Sequence, residues 1–356
     1  MKMKKIMLIV PSLIRGGAER VVSNLSKELS KYYQVYVVIY HGPVEYKIGG
    51  QLVNLHTPTG SIFRKITNTF IRMWKLRKII KDISPSYIVS FMGNIQPILT
   101  LKPVVVSIRC NTDGFPLYHK FLLKTLYKLP NIKKIVTVSR GIEKQLNNNF
   151  HLKRTKTIYN PIDLKLISKK LHNEKPFDFA YILAVGRLTS QKGFDVLIKA
   201  FSRSEIRKKV KLIILGEGEE RNNLQNLISG LGIETQVLLY GKVNNPFIFM
   251  KHAIFFVLSS RAEGFSNVII ESLACGTPVI ATNCKTGPSE IIENEKNGLL
   301  VPVENEDALR NKIEKLYNNK ELYLNLKENA FHSIKDYDIE KIAEDWIKLF
   351  REINHV

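Results

Sequence analysis

Residues 181–201 read YILAVGRLTSQKGFDVLIKAF. An apolar run ends at Gly186, and a short polar loop follows, carrying Arg187 and Lys192. Gly193 closes the loop, and from Phe194 onward the apolar residues recur at helical spacing. A continuous apolar strand, a glycine-bearing loop and a helix form the repeating unit of a parallel sheet covered on both faces. The same unit recurs along the chain. In the first half the runs are KIMLIV (5–10), VYVVIY (35–40), YIVSF (87–91), VVVSI (104–108) and KIVTVS (134–139). In the second they are YILAVG (181–186), KLIILG (211–216), QVLLYG (236–241), AIFFVL (253–258) and PVIAT (278–282). Two such series predict an α/β protein of two doubly wound parallel-sheet domains. The polar stretch NPIDLKLISKKLHNEKPFDF (160–179) has two prolines and no clean period, so the domain junction is expected there, near 165/166. DYDIEKIAEDWIKLFREI (336–353) reads as a terminal amphipathic helix.

Composition narrows the setting. The 356 residues suit about two domains. Cys110, Cys275 and Cys284 have no metal-ligand spacing, so free thiols in a reducing compartment are expected. MKMKKIMLIVPSL imitates a signal peptide, but its apolar run is short and no small-residue cleavage site follows; a buried first strand is expected instead. No apolar stretch reaches the ~20 residues of a membrane-spanning helix. The net charge of +22 is lopsided. Residues 1–165 hold 28 Lys and Arg against 7 Asp and Glu, whereas residues 166–356 hold 26 against 25. The cationic half suits an anionic partner such as a diphosphate, phospholipid headgroups or nucleic acid, with a Lys-rich proteome as the plain alternative.

In open parallel sheets ligands bind beyond the carboxyl ends of the strands, and the candidate residues all lie there. After the first strand, Gly16 and Gly17 close a turn into a helix, where backbone N–H groups can approach a phosphate; an ordinary tight turn is the alternative. No GxGxxG fingerprint is present and no acidic residue ends the second strand, which disfavours a nicotinamide cofactor. Arg187 and Lys192, flanked by Gly186 and Gly193, suit a diphosphate; the alternative is a solvated basic loop. LGEGEERNNLQNL (215–227) and LYGKVNNPF (239–247) are weaker strand-end signals, the latter a possible cradle for a flat base. RAEGFSNVIIESLACGTPVIAT (261–282) carries Glu263 in a loop and Glu271 one turn inside a helix expected to be capped by Ser266 or Asn267 and ended by Gly276. The two glutamates bracket a helix N-terminus, which attracts an anion. That suits a ligand with hydroxyl-bearing ends and a charged middle, as in a nucleoside diphosphate sugar. Otherwise Glu271 merely favours the helix dipole and Glu263 lies exposed.

Taken together, GGAER, VGRLTSQKGFDVLIKAF, LGEGEER, the Glu-x7-Glu segment EGFSNVIIESLACGTPVIAT and NGLLV (297–301) make the chain resemble, over nearly its full length, a family 4 (group 1) glycosyltransferase. The resemblance implies a GT-B fold: two facing Rossmann-like domains with an interdomain cleft. Residues 1–165 would bind acceptor, 166–337 would bind the nucleotide sugar, and a helix over about 338–356 would cross back to the first domain. It implies a retaining, metal-independent hexosyltransferase with no cofactor. Arg187 and Lys192 would hold the donor diphosphate and Glu271 the ribose. Glu263 would face the donor sugar, and Phe265, Ser266, Asn267 and Val268 would line the donor. Val243 would meet the base, and Gly17 would let the first domain's helix approach the diphosphate. Many relatives place a histidine after the strand matching VVVSI; here Arg109 takes that place, and arginine is no general base near neutral pH. Asn111, Asp113 and His119 are further candidates for an acceptor or sugar pocket.

SIFRKITNTFIRMWKLRKIIKDI (61–83) sets Ile62, Ile66, Phe70, Met73 and Trp74 on a helical stripe among seven cations, Arg72, Lys75 and Lys78 included. HKFLLKTLYKLPNIKK (119–134) is similar in makeup. Basic amphipathic helices with aromatic residues suit an anionic membrane surface; each stripe packing on the sheet is the alternative. The expectation is therefore a cytoplasmic protein, peripheral on the inner face of the cell membrane. The resemblance, whose whole-chain pattern is most similar to bacterial N-acetylgalactosamine or galactose transferases of lipid-linked glycan assembly, implies that the protein would move a hexose or N-acetylhexosamine from a UDP-sugar, UDP-GalNAc foremost, to a polyprenyl-diphosphate-linked glycan in N-glycan, capsule or lipopolysaccharide assembly. A soluble acceptor and a nucleotide-sugar 2-epimerase are the alternatives. Nucleic-acid binding is disfavoured, because no recognition module or interleaved aromatic platform is present.

Overall fold

A computed structural model describes residues 3–14, 16–57, 62–92, 95–171 and 174–354, with the side chains of 62–66 and 354 outside that description. The chain forms two compact units, residues 1–161 with 337–356, and residues 162–336. The first unit contains β1 (Lys5–Val10), α1 (Gly17–Leu29), β2 (Gln34–Ile39), β3 (Gln51–Asn54), α2 (Ile62–Ile83), β4 (Tyr87–Phe91), α3 (Ile95–Leu99), β5 (Val104–Ile108), α4 (Leu117–Thr125), β6 (Ile132–Thr137), α5 (Arg140–Phe150) and β7 (Thr155–Thr157). The second contains α6 (Leu164–Lys170), β8 (Tyr181–Val185), α7 (Phe194–Ser202), β9 (Lys211–Leu215), α8 (Arg221–Gly230), β10 (Val237–Gly241), α9 (Pro246–His252), β11 (Phe256–Leu258), α10 (Asn267–Ala274), β12 (Val279–Thr282), α11 (Pro288–Ile291), β13 (Leu299–Val301), α12 (Glu306–Asn318) and α13 (Lys320–His332). The chain then returns to the first unit as α14 (Ile339–Asn354).

Both sheets are parallel throughout, with strand orders β3-β2-β1-β4-β5-β6-β7 and β10-β9-β8-β11-β12-β13. The central strands are fully buried, which is why they read as unbroken apolar runs rather than alternating ones. In each sheet the direction of winding reverses once, between β1 and β4 in the first and between β8 and β11 in the second. Loops diverge at such a point and leave a crevice at the strand ends.

The junction stretch 160–179 is not irregular throughout. It contains α6, whose first turn is closed by the Asp163 carboxylate accepting from the Leu166 N–H at 2.8 Å. The chain passes between units at 161/162, a few residues ahead of the expected 165/166. In α14 the helical period puts Ile342, Ala343, Trp346, Leu349 and Phe350 on one face, packed with Val22, Leu25 and Leu29 of α1 and with the sheet. The Phe350 ring stacks on Tyr87 at 4.7 Å and meets Tyr33 edge-on at 5.8 Å. Fully burying side chains of this size stabilises by about 2–3 kcal/mol each.

Candidate active site

Three strand ends of the second unit are tied together by glycine backbone. Gly186 N donates to Leu215 O at 3.0 Å, and Gly216 N donates to Gly241 O at 2.8 Å. Gly216 has φ +146, and a Cβ there would lie 1.8 Å from Gly186 O. One loop further, Gly193 at φ +61 lets Ser259 O approach to where a Cβ would meet it at 2.2 Å. Glycines flanking Arg187 and Lys192 let backbone come close to another group. The structure shows that Gly193 and Gly216 first make room for neighbouring backbone, and this close approach fixes where the loops begin.

The loop after β8 and the loop after β11 flank the point where the sheet's winding reverses, and they bring two of the expected residues into contact. Lys192 Nζ lies 2.6 Å from Glu263 Oε1. Ser260 Oγ donates to the same oxygen at 2.7 Å. Glu263 is buried, not loop-exposed. Its backbone carbonyl accepts from the Thr286 hydroxyl, and Ser260 O accepts from Thr282 Oγ1 at 2.6 Å and from Cys284 Sγ at 3.1 Å. The Lys192 carbonyl is held by Ser259 Oγ at 2.9 Å. Burial, helped by the Glu263 charge, pushes the Cys284 thiol up to about 11. Arg187, at the end of β8, is exposed. Among the described residues no group of three or more His, Cys, Asp or Glu is placed to hold a metal ion.

The helix expected over the Glu271 segment is α10, and Gly276 lies just beyond it at φ +73. Its N-terminus departs from expectation. Ser266 occupies the cap position at φ 112, ψ 80, and its side chain makes no capping bond. The Ser266 hydroxyl is buried with no hydrogen-bond partner among the described residues. A non-glycine residue in that region costs about 1–3 kcal/mol, and such strain clusters at functional sites. Gly287, at φ +95, packs against the buried Phe265, where a Cβ would lie 3.0 Å from its Cα. Asn267 and Val268 open α10 half-buried, and Glu271 is buried one turn further on. Burial, together with the Glu271 charge, pushes the Cys275 thiol up to about 12. Val243 lies half-buried in the loop after β10, two strands away from β8.

The first unit holds the other candidates. Gly17 is the first residue of α1, so it belongs to the helix and only Gly16 to the turn before it. Gly16 is extended at φ −147, and a Cβ on it would meet the Glu19 carboxylate at 2.2 Å, so that carboxylate folds back over the helix entry. Arg109 is committed to its own unit. Its Nη2 donates to Asn160 Oδ1, its Nη1 to Ser107 Oγ at 3.4 Å, and its guanidinium lies over the Phe91 ring at 5.6 Å. Burial lowers its pKa to about 10, opposed by the Glu19 carboxylate, so it stays a cation at neutral pH. Asn111 Oδ1 accepts from the Asp113 N–H at 2.8 Å. Asp113 lines a cavity of about 410 Å³ with Lys120, Phe121 and Lys124 of α4. The His119 ring lies tilted against Tyr118, with ring centroids 4.2 Å apart.

On α2 the expected stripe divides. Arg72 and Lys75 turn inward: Arg72 Nε donates to Thr57 Oγ1 at 2.9 Å and its guanidinium lies over Tyr40 at 4.9 Å, while Lys75 Nζ donates to Leu55 O at 2.6 Å. Leu76 and Ile80 form the buried face. Phe70 and Trp74 are exposed at 62% and 64%, with Lys78 also exposed. Met73 is half-buried, and the side chains of Ile62 and Ile66 lie outside the described residues. The 119–134 segment continues α4, which begins at Leu117 and ends at Thr125, and goes on through a tighter turn over Leu126–Lys128 into β6.

Several contacts at the site were invisible to sequence reading, namely Ser259, Ser260, Thr286 and the pair Asp195–Arg261. The one signal available was position, since Arg261 stands two residues ahead of Glu263 and Asp195 two beyond Gly193. Comparison with known proteins bears on the family. Residues 15–166 match the family described as Glycosyltransferase Family 4, and residues 167–333 the one described as Glycosyl transferases group 1. The chain is 32% identical, over 97% of its length and 99% of the relative's, to the N-acetylgalactosamine-N,N'-diacetylbacillosaminyl-diphospho-undecaprenol 4-alpha-N-acetylgalactosaminyltransferase of Campylobacter jejuni. A second transferase of that organism, the GalNAc-alpha-(1->4)-GalNAc-alpha-(1->3)-diNAcBac-PP-undecaprenol alpha-1,4-N-acetyl-D-galactosaminyltransferase, is 28% identical over 99% of this chain and 100% of its own. Among solved structures, Anabaena Alr3699/HepE in complex with UDP and glucose superposes with a TM-score of 0.81 at 19% identity, covering 98% and 100% of the two chains, a likeness that bears on the fold.

Proposed function

The chain belongs to the family 4, group 1 glycosyltransferases, and on that premise we propose that it moves an N-acetylhexosamine or hexose from a UDP-sugar to a polyprenyl-diphosphate-linked glycan, with retention of anomeric configuration. UDP-GalNAc is the proposed donor. The observation that carries the donor reading is the Lys192–Glu263 pair on the two loops that flank the reversal of winding, with the N-terminus of α10 four residues beyond Glu263. Lys192 and Arg187 hold the donor diphosphate. The N-terminal end of α10, with Phe265, Ser266, Asn267 and Val268, meets the donor's anionic and hydroxyl groups. Ser266 Oγ, buried and unpartnered among the described residues, is a hydroxyl available to a ligand. Glu271 takes the ribose hydroxyls, Glu263 faces the sugar, and Val243 meets the base. The acceptor reading rests on the two Campylobacter relatives, which are named for diphospho-undecaprenol-linked substrates.

In the proposed reaction the bond from the anomeric carbon to the diphosphate oxygen breaks, and the acceptor oxygen bonds to that carbon from the same face. The acceptor's proton passes to the departing diphosphate. Negative charge grows on the diphosphate as this happens, and Lys192 and Arg187 stabilise it. These side chains supply the positive charge at the diphosphate, and the proposal includes no metal. The test is incubation with a panel of UDP-sugars and a lipid-linked glycan, with product mass and anomeric configuration as readouts, in the presence and absence of EDTA. Transfer with retention, unchanged by EDTA, is expected. Transfer to a soluble glycan alone moves the acceptor assignment, release of a 2-epimerised sugar without transfer replaces the reaction, and loss of transfer in EDTA removes metal independence.

The same reading places the protein in the cytoplasm, on the anionic inner face of the cell membrane and not on nucleic acid. Phe70 and Trp74 on α2, and Leu117, Tyr118 and Phe121 on α4 at 85%, 61% and 63% exposure, offer apolar side chains beside Lys78, Lys120 and Lys124. No described helix is long and apolar enough to cross a membrane. The combined change Phe70→Ser, Trp74→Ser and Lys78→Glu is expected to weaken binding to vesicles rich in anionic lipid by roughly tenfold or more, read by co-sedimentation. Unchanged binding removes α2 from the membrane contact. Arg72→Ala and Lys75→Ala are unsuitable for this test, because those side chains bind the unit's own backbone and rings.

A further inference from the structure

Lys192 and Glu263 stand on loops, the class of segment most prone to move. What holds their relative position is a second set of contacts just behind them, centred on Arg261. Its guanidinium makes a two-pronged bond to Asp195, Nη1 to Oδ1 at 2.9 Å and Nη2 to Oδ2 at 2.8 Å. Nη1 also reaches Ser190 O, and Nε donates to Glu304 Oε1 at 2.7 Å. Its backbone N–H donates to Gln191 O at 2.8 Å, and Gln191 Nε2 returns a bond to Ala262 O at 2.7 Å. Asp195 sits in the first turn of α7, so one residue joins the loop that ends in Lys192, the helix behind it and the loop that carries Glu263. Burial pushes the Asp195 carboxyl up, but the Arg261 fork and backbone N–H groups outweigh it and hold it below the usual carboxylate range.

We propose that Arg261 and Asp195 form a latch that locks the two loops into one body and thereby positions Lys192 for the departing diphosphate. The proposal rests on the donor reading above. The latch is a positioning device: every guanidinium nitrogen of Arg261 has a partner within the protein. Arginine is required at 261 because three acceptors in different directions need a planar fork, which the single ammonium of lysine cannot supply. Its contribution to global stability is small. Arg261 and Asp195 are 27% and 36% exposed, and ion pairs of that exposure contribute about 0–1 kcal/mol after solvent screening. The core beneath, from Ile182 through Leu212 and Ile280, does not include them, so variants are expected to stay folded.

The experiment compares Arg261→Ala, Arg261→Lys, Lys192→Ala and the double variant Lys192→Ala with Arg261→Ala in the full chain. Arg261→Ala is expected to lower kcat by roughly 10²-fold, the scale of an ångström of misplacement, with donor KM changed much less. Arg261→Lys recovers little of the loss. In the Lys192→Ala background, adding Arg261→Ala costs less than about twofold more, because a residue that acts through Lys192 has nothing left to position. An undiminished loss in that background, or a rise in KM with kcat intact, overturns the latch. A second arm needs no turnover. Hydrogen exchange of the unliganded protein should quicken in Arg261→Ala at the amides of 190–193 and 261–263 together. Unchanged exchange refutes the latch even in an active enzyme, and quickened exchange in a protein that transfers no sugar upholds the latch while the donor reading fails.

Discussion

Lys192→Ala is expected to lower kcat for sugar transfer by roughly 10²–10³-fold, the usual effect of removing one group that stabilises charge developing in a transition state. The substitution also has a structural consequence that must be separated from the catalytic one. Glu263 is buried, and Lys192 is its cationic partner. Without Lys192 the carboxylate keeps Ser260 Oγ but loses its counter-charge, a loss on the order of 1–3 kcal/mol. The double variant Lys192→Ala with Glu263→Gln removes the stranded charge. Its urea midpoint should return most of the way to that of the unaltered protein, while kcat stays low. Recovery of kcat along with stability would make the lysine a structural counter-ion and nothing more.

Gly216→Ala is expected to be the most damaging of the small substitutions, costing about 2–6 kcal/mol. Two penalties combine. A side chain at φ +146 is strained by about 1–3 kcal/mol, and overpacking adds about 1–3 more. The obstacle is Gly186 O, a backbone atom at the end of β8, so relief requires the ends of β8 and β9 to separate. The site should suffer with the fold, since the loop carrying Arg187 and Lys192 starts at that carbonyl. Gly230→Ala is the control: it closes α8, a Cβ there meets nothing within 4 Å, and Ala should be neutral or stabilising by up to about 1 kcal/mol. Urea titration of both variants decides the matter. A Gly216→Ala midpoint within a few tenths of a kcal/mol of the unaltered protein would mean that the strand ends yield easily.

What could be read from residues alone follows burial. β1, β4 and β5 lie inside the first sheet, are covered on both faces, and fall at the limits their apolar runs predict. β3 (QLVN), β7 (TKT) and β13 (LLV) are edge strands of three or four residues, and none of them was anticipated as a strand. At an edge less side-chain area is covered, so β3 and β7 carry no apolar run, and β13 is apolar but only three residues long; the remaining edge strand, β10, is longer and is readable from QVLLYG. The same limit governs the site. Arg187, Lys192, Glu263 and Glu271 stand out in the sequence as candidates because their types and spacing suit a nucleoside diphosphate sugar. Arg261 does not, since its meaning depends on Asp195, distant in sequence and brought near only by the crossover from β8 to β11. On α2 the helical period was readable, but which cations face inward depends on Tyr40, Leu55 and Thr57, contributed by segments that precede the helix.

The first unit is interrupted in sequence: it closes only when α14 lays Trp346 and Phe350 beside Phe91, Tyr87 and α1, and Tyr159 meets Tyr337 across the interruption at 5.4 Å. During translation the strands of that unit leave the ribosome long before their covering helix, while residues 162–336 emerge as an uninterrupted unit able to fold first. The cationic portion of the polypeptide therefore waits, with apolar surface uncovered, until α14 has been made.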